Sequence, residues 1–175
     1  MADWANLLTE LVSARGRELN RYGFLLTGDR AEAADLVQEA LVRVFARPHL
    51  SWDLGRLEGY VRRTMLNRFL DQHRRRQRFA LLLPKVPGPR ADGDHADHGE
   101  LVADRLRLLT ALDVLSPTQR ACVVLRYYED LPVAAVADRL GCREGTVKRH
   151  LSDALTRLGT ALGTDRQALQ EGDAA

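Results

Sequence analysis

Residues Leu131 to Leu158, LPVAAVADRLGCREGTVKRHLSDALTRL, contain the pattern that decides the fold of the second half of this chain. Apolar residues recur at helical spacing on both sides of Gly141, which predicts two short helices with one apolar stripe each. A chain often leaves a helix through a residue in the left-handed conformation, which glycine adopts at the lowest cost. The stretch therefore predicts a helix-turn-helix, a motif whose second helix commonly lies in a DNA major groove. The predicted stripes are Val136 and Leu140 on the first helix, and Val147, Leu151, Ala154, Leu155 and Leu158 on the second.

The N-terminal half has helical spacing as well. Apolar residues follow it from Trp4 to Phe45, with a break at Thr27-Gly28-Asp29. Asp29 is a predicted N-cap, and Glu32 three residues later could complete a capping box. Ala46 to Gly59 contains one proline and two glycines, which predicts a loop. A long helix is predicted to follow, from Tyr60 to Arg78.

Composition shifts divide the chain into two helical modules, and the fold class predicted is all-α. Residues 1–83 form the first module, and residues 84–100, rich in proline, glycine and acids, are a predicted linker. Residues 101–163 form the second module, in which Ser116 is a predicted N-cap and Pro117 the first helical residue. Residues 164–175 are too polar to dock firmly and are predicted to be a disordered tail.

Charge is unevenly distributed along the 175 residues. The chain as a whole carries a formal charge of +2, but residues 56–90 contain ten Lys and Arg against two Asp and Glu. Arginines there alternate with Tyr60, Asn67 and Phe69 in YVRRTMLNRFLDQHRRRQR. Basic and aromatic groups together suit single-stranded or opened nucleic acid, since arginine meets phosphate and rings stack on bases. A solvated basic face and a membrane-surface helix are the alternatives.

Other functional classes find little support in the sequence. No apolar run reaches the roughly 20 residues of a membrane span and the N-terminus is unlike a signal peptide, so we expect a cytoplasmic protein without membrane insertion. Cys122 and Cys142 form no CxxC pair, and His95 and His98 lie in the predicted linker, so we expect no metal. No phosphate-binding loop or nucleophile motif is present, and neither a cofactor nor an enzyme active site is expected.

The motifs in this order resemble the extracytoplasmic-function (ECF) sigma factors of bacterial RNA polymerase, in the sigma-70 family. A helix with DLVQEAL, a basic helix with a central asparagine, a linker, and LSPTQRACVVLRYYEDLPVAAVADRLGCREGTVKRHL follow one another between about Arg17 and Leu162. The resemblance implies a sigma region 2-like domain and a region 4-like domain. It also implies binding to core RNA polymerase, through its beta-prime clamp and beta flap, and promoter-specific initiation with assistance in promoter melting.

The resemblance implies roles for residues of the first module. The helix with DLVQEAL would dock on the polymerase clamp, and the loop from Ala46 to Gly59 would engage the minus-ten element together with the basic helix. A flipped base would be held there, at an unstacking cost of a few kcal/mol. The implied polymerase-binding residues are Asp35, Leu36, Gln38, Glu39 and Val42. The implied minus-ten residues are Arg62, Arg63, Asn67, Arg74, Arg75 and Arg76.

The second module would bind the minus-thirty-five element as duplex. Arg149 could bond a guanine twice, or could meet only phosphate. Arg143, His150 and Asp153 depart from the residues usual in the family, as does Tyr60 in the first module, so promoter preference should differ from that of a generic member. The family also implies an anti-sigma factor as a partner. The implied minus-thirty-five residues are Arg143, Thr146, Lys148, Arg149, His150 and Ser152.

Two alternatives belong to other functional classes. A stand-alone helix-turn-helix repressor or activator would bind duplex by itself, as a dimer on two half-sites about one helical turn apart. An enzyme acting on nucleic acid would need Asp35 and Glu39 as metal ligands. Neither alternative explains both modules.

Overall fold

The computed structural model describes residues 2–46, 53–82 and 111–162. Within these ranges the chain is helical apart from short turns, and they contain no β-strand. The chain divides between Asp94 and His95 into two compact units. The predicted linker at 84–100, the predicted tail at 164–175 and the two linker histidines lie outside the described residues.

The described residues of the first unit form three helices that all pack on one another. These are α1 (Ala2–Thr27), α2 (Arg30–Phe45) and α3 (Leu54–Leu82). Its core is formed by apolar side chains that recur at helical spacing and are almost fully buried, which makes packing rather than local propensity the main source of stability. The most buried large residues are Leu11, Leu19, Tyr22, Leu26, Leu36, Val44, Leu57, Val61, Met65 and Leu66.

The turn between α1 and α2 forms where the sequence predicts it. Gly28 has a positive φ of 78°, and the Asp29 side chain accepts a hydrogen bond from the Glu32 amide at 2.8 Å, so Asp29 is the N-cap. The Glu32 carboxylate accepts a hydrogen bond from Arg76 on α3. The residue expected to complete the capping box is therefore engaged in an interhelical ion pair.

The prediction of a loop from Ala46 to Gly59 was wrong for its second half. Asp53 caps α3 by accepting a hydrogen bond from the Arg56 amide at 2.8 Å, and the helix begins at Leu54. Gly55 and Gly59 consequently lie inside α3, because Leu57 and Val61 are completely buried and hold the first turns on the core. Glycine weakens a helix by only about 1 kcal/mol, which such burial outweighs. Residues 47–52 lie outside the described residues.

In the second unit, the described residues 111–162 contain a helical stretch at 111–113 and three further helices, the last two of which form the predicted helix-turn-helix. Ser116 and Gln119 form a complete capping box that starts α4 (Pro117–Val123), with Pro117 in the first turn as predicted. The chain then widens into a π-type turn at Val124–Tyr128, where the Glu129 amide bonds the Val124 carbonyl at 3.1 Å. The next helices are α5 (Val133–Leu140) and α6 (Glu144–Ala161). Gly141 ends α5 in the left-handed conformation, with φ 65°.

The core of this unit confirms most of the predicted stripes and corrects one residue. Val136, Val147 and Ala154 are fully buried, and Leu151 and Leu158 nearly so. Leu155 is 45% exposed, because it lies about 100° around α6 from Ala154 and cannot share its face. At the start of the unit Arg120 is buried and donates to the Leu112 carbonyl at 3.1 Å and to Asp113 at 2.6 Å.

Candidate nucleic-acid interface

One exposed face of α3 carries a stripe of basic, aromatic and amide side chains. It is interrupted by Asp71, whose carboxylate accepts a hydrogen bond from Arg74 at 3.3 Å. The buried residues Leu57, Val61, Met65 and Phe69 occupy the opposite side of the helix. Residues spaced at four and seven along α3 therefore line up on the exposed side. This arrangement places groups that bond phosphate and groups that stack on bases along a single line. We call it the α3 stripe, and it consists of Arg56, Tyr60, Arg63, Asn67, Arg74 and Arg78, all of which are exposed.

Arg62 does not belong to the α3 stripe, although the sequence predicts it as a DNA contact. Its guanidinium donates to Glu58 at 2.6 Å and lies over the ring of Tyr22, 5.6 Å from the ring centre. Glu58 also pairs with Arg15 of α1 at 3.3 Å. The described contacts of Arg62 thus join α3 to α1 inside the unit.

Two further arginines of α3 are paired with acids of α2. Arg68 donates from Nε to Oε2 of Glu39 at 2.8 Å, and its Nη2 donates to the same oxygen. Arg76 donates to Glu32 at 3.0 Å. Of the predicted minus-ten residues, Arg63, Asn67, Arg74 and Arg75 are exposed and form no hydrogen bond or ion pair with the described residues of α1 or α2.

The last turns of α3 extend beyond the hydrophobic core. Every residue from 74 to 80 is exposed, and Phe79 is 67% exposed beside the arginine cluster. Phe79 lies one residue beyond the helix predicted from Tyr60 to Arg78 and is not among the predicted site residues. Its position after four arginines in five residues is the signal that could have suggested one, since an exposed ring beside arginine is typical of nucleic-acid surfaces.

The predicted docking helix α2 has a mixed exposed face. Asp35 and Gln38 are exposed, and Val42 is 71% exposed, the highest value among the large apolar side chains of the described residues. Leu36 is only 2% exposed and belongs to the core, so it is corrected from a docking residue to a supporting one. Glu39 lies at the edge of the face, with its carboxylate on Arg68.

In α6 the predicted duplex-binding residues lie away from the core. Lys148, Arg149, Ser152 and Asp153 are exposed, whereas Thr146 and His150 are half-buried at the flank. Arg143 is the exposed residue just before the helix, with extended backbone and no side-chain cap bond. In residues 111–162 the ion pairs involve Arg120, Arg126 and Arg139, and neither Lys148 nor Arg149 takes part. These two side chains can therefore adapt to a groove.

The two cysteines lie in the second unit. Burial of Cys122, with a smaller effect from nearby Cys142, raises the pKa of its thiol to about 12. Such a thiol is unreactive at neutral pH. No group of three or more His, Cys, Asp or Glu in the described ranges is placed to hold a metal ion. None of the described helices is both long and apolar enough to cross a membrane.

Comparison with known proteins explains why these two surfaces occur in one chain. Residues 11–79 match the family model for sigma-70 region 2, and residues 105–158 match that for sigma-70 region 4. The RNA polymerase sigma-E factor of Streptomyces antibioticus is 35% identical over 92% of this chain and 89% of its own length. The chain belongs to the ECF sigma factors of RNA polymerase. It binds core polymerase and promoter DNA and directs promoter-specific initiation.

Other relatives of this sigma factor are consistent with the same family. The ECF RNA polymerase sigma factor SigL of Mycobacterium tuberculosis is 32% identical over 90% of both chains. Among solved structures, the sigma factor RpoE of Bartonella quintana, in complex with the anti-sigma factor NepR, is similar with a TM-score of 0.68 and 26% identity. That match covers 95% of this chain and 100% of the other.

The family match also decides between the alternatives. A stand-alone helix-turn-helix regulator would account for the region 4 match but not for the region 2 match at residues 11–79. An enzyme acting on nucleic acid would likewise leave the matches to sigma regions 2 and 4 unexplained. The function of a sigma factor uses both units of the chain.

Proposed function

We propose that the first unit docks on core polymerase through α2 and binds opened minus-ten DNA through the α3 stripe. The observation that supports this division best is that the two surfaces lie on different helices of one unit, and that these helices pack on each other. Asp35, Gln38 and Val42 point outward from α2, and Tyr60, Arg63 and Asn67 from α3. Packing between the helices fixes the distance from polymerase contact to DNA contact.

The docking face of α2 suits a partner with both basic and apolar groups. Val42 offers an apolar centre, and Asp35 together with the partly exposed Glu39 offers negative charge beside it. An exposed apolar residue ringed by polar ones is typical of protein interfaces. The polymerase clamp is the proposed partner of this face, and the beta flap that of the second unit.

The α3 stripe suits a strand whose bases are unstacked. Tyr60 is 43% exposed, so its ring can stack on an extruded base while the Asn67 amide bonds a base edge. Arg63 and Arg74 lie on the same line and can meet phosphates on either side. Stacking of this kind contributes about 1–3 kcal/mol per base, comparable to the unstacking cost that melting requires.

The second unit is proposed to hold the minus-thirty-five element as duplex through α6. Arg149 and Ser152 project from the side opposite Val147 and Leu151, with Lys148 at the flank in reach of phosphate. Gly145 lies on the same side, and apart from its chain neighbours and the backbone of its own helix, no described atom lies within 4 Å of a β-carbon added there. The start of α6 thus leaves room for close approach of DNA.

Run-off transcription with core polymerase tests the proposal. The purified chain should co-migrate with core and start transcripts at specific positions in a library of promoter fragments. Tyr60→Ala should reduce initiation on duplex promoters more than on promoters with a premelted minus-ten region, because stacking assists melting. Failure to bind core at low salt would contradict the function, and equal losses on both templates would contradict the role of Tyr60.

We also propose that an anti-sigma factor regulates this chain. The chain itself is proposed to act in the cytoplasm and to contribute no catalytic group. The support is the similarity to RpoE, whose structure contains an anti-sigma factor. Affinity capture with the tagged chain, followed by competition with core polymerase, provides a test. A captured protein that core displaces supports the proposal, and one that binds together with core and leaves transcription unchanged contradicts it.

A further inference from the structure

Two ion pairs connect the proposed docking helix to the proposed DNA-binding helix. Glu39 and Glu32 of α2 pair with Arg68 and Arg76 of α3 respectively. The acids are seven residues apart and the arginines eight, so the pairs lie two turns apart along antiparallel helices. Each pair engages an arginine of the basic helix with an acid of α2.

The two pairs differ in how firmly they are held. Arg68 is 17% exposed, and two of its N–H groups converge on one oxygen of Glu39. Arg76 and Glu32 are 59% and 45% exposed and share one hydrogen bond. Exposed pairs are screened by solvent and contribute little, whereas charge-assisted bonds from a guanidinium fix orientation. The Glu39 to Arg68 pair is therefore the stronger connection.

We propose that Arg68 is a positioning residue, which sets the α3 stripe at a fixed rotation and register relative to the docking face of α2 by holding Glu39. Glu39 is one helical turn from both Asp35 and Val42, and Arg68 adjoins Asn67 of the stripe. The pair thus lies directly between the two surfaces. This inference rests on the proposed function. It adds that promoter opening depends on the ion pair between Arg68 and Glu39, which does not itself contact DNA.

Holoenzymes assembled with variants at the pair test the inference. We expect Arg68→Met and Glu39→Gln each to reduce open-complex formation on duplex promoter, at saturating core, by about three- to tenfold. The double variant should lose no more than the larger single loss, because both changes remove one interaction. Arg68→Met should bind core as the wild type does, and Arg68→Lys should restore part of the opening by retaining the charge.

Arg15→Met is the matched control. It removes another interhelical ion pair of α3, with Glu58, on the side of α1 rather than α2. Opening should be unchanged in this variant, and thermal unfolding of all variants reports any loss of stability.

Normal opening by Glu39→Gln while Arg68→Met fails would show that Arg68 contacts DNA directly and overturn the proposal. Equal losses in Arg15→Met and Arg68→Met, or a parallel loss of core affinity in Arg68→Met, would also overturn it. Wild-type transcription in the same assay establishes the proposed function independently of the pair.

Discussion

The α3 and α6 helices differ in how their arginines are held, although both are proposed to bind DNA. In α3, Arg62, Arg68 and Arg76 pair with acids of the same unit, and Arg74 of the exposed α3 stripe pairs with Asp71 on the same helix. In α6, Lys148 and Arg149 form no ion pair with the described residues 111–162. The difference suits the two tasks. Opened DNA is flexible and needs a rigid surface, whereas a duplex groove is regular and tolerates adaptable side chains.

The largest effect is expected from a comparison of the buried and exposed sides of α2, the helix against which α3 packs. Leu36→Ala should lower the free energy of unfolding by about 2–5 kcal/mol, since a buried leucine leaves a cavity. Val42→Ala should change it by less than about 0.5 kcal/mol but weaken core binding. Urea unfolding and a core-binding assay measure both. A free energy of unfolding in Leu36→Ala equal to that of the wild type would show that Leu36 is not a core residue and would again favour a docking role for it.

The next effect concerns the adaptable side chains of α6. Arg149→Ala should weaken binding to minus-thirty-five duplex by about 1–3 kcal/mol if Arg149 bonds a base, and relax specificity at one position. A phosphate contact would instead weaken all sequences uniformly and reduce the salt dependence of binding. Thr156→Ala, two turns further on the same face, is the control. An unchanged affinity in Arg149→Ala would contradict both roles.

A third effect is a pH dependence of the free energy of unfolding, which Cys122 gives to the second unit. Because the pKa of Cys122 is about 12 in the folded protein against about 9 when exposed, the unfolded state loses this proton first as pH rises. Stability from the buried neutral thiol is complete below pH 9 and should fall between pH 9 and 12. Urea midpoints of the wild type should therefore decline more steeply over this range than those of Cys122→Ala. Parallel pH curves would show that Cys122 is not buried as described.

The smallest effect on stability is expected from substitutions of the exposed glycines in α3 and α6. Gly59 in α3 and Gly145 in α6 each have no protein atom within 4 Å of an added β-carbon. Gly59→Ala should stabilise the protein by about 0.5–1 kcal/mol, and Gly145→Ala, in the first turn, by less. If DNA approaches the α6 backbone closely, Gly145→Ala should also weaken minus-thirty-five binding. Unchanged duplex binding would show that the room at Gly145 is not used.

Local signals account for what could be predicted from the sequence. The capping residues Ser116 and Asp29, the left-handed Gly141, and the helices around them act within a few residues of the chain, and the structure confirms them. The start of α3 could not be predicted in the same way. Two glycines argue against a helix at 54–59, and only the burial of Leu57 and Val61 against the other helices overrides them.

The sequence by itself determined the all-α class, the helix-turn-helix and the excess of basic residues in α3, because periodicity, caps and charge are properties of neighbouring residues. Tertiary structure alone decided which charges are available. Leu36 lies in the core, Arg62 and Arg68 form interhelical contacts, and the α3 stripe is left exposed. The reason is physical. A guanidinium pairs with whichever acid the packing brings near it, and Glu39 is 29 residues from Arg68 along the chain.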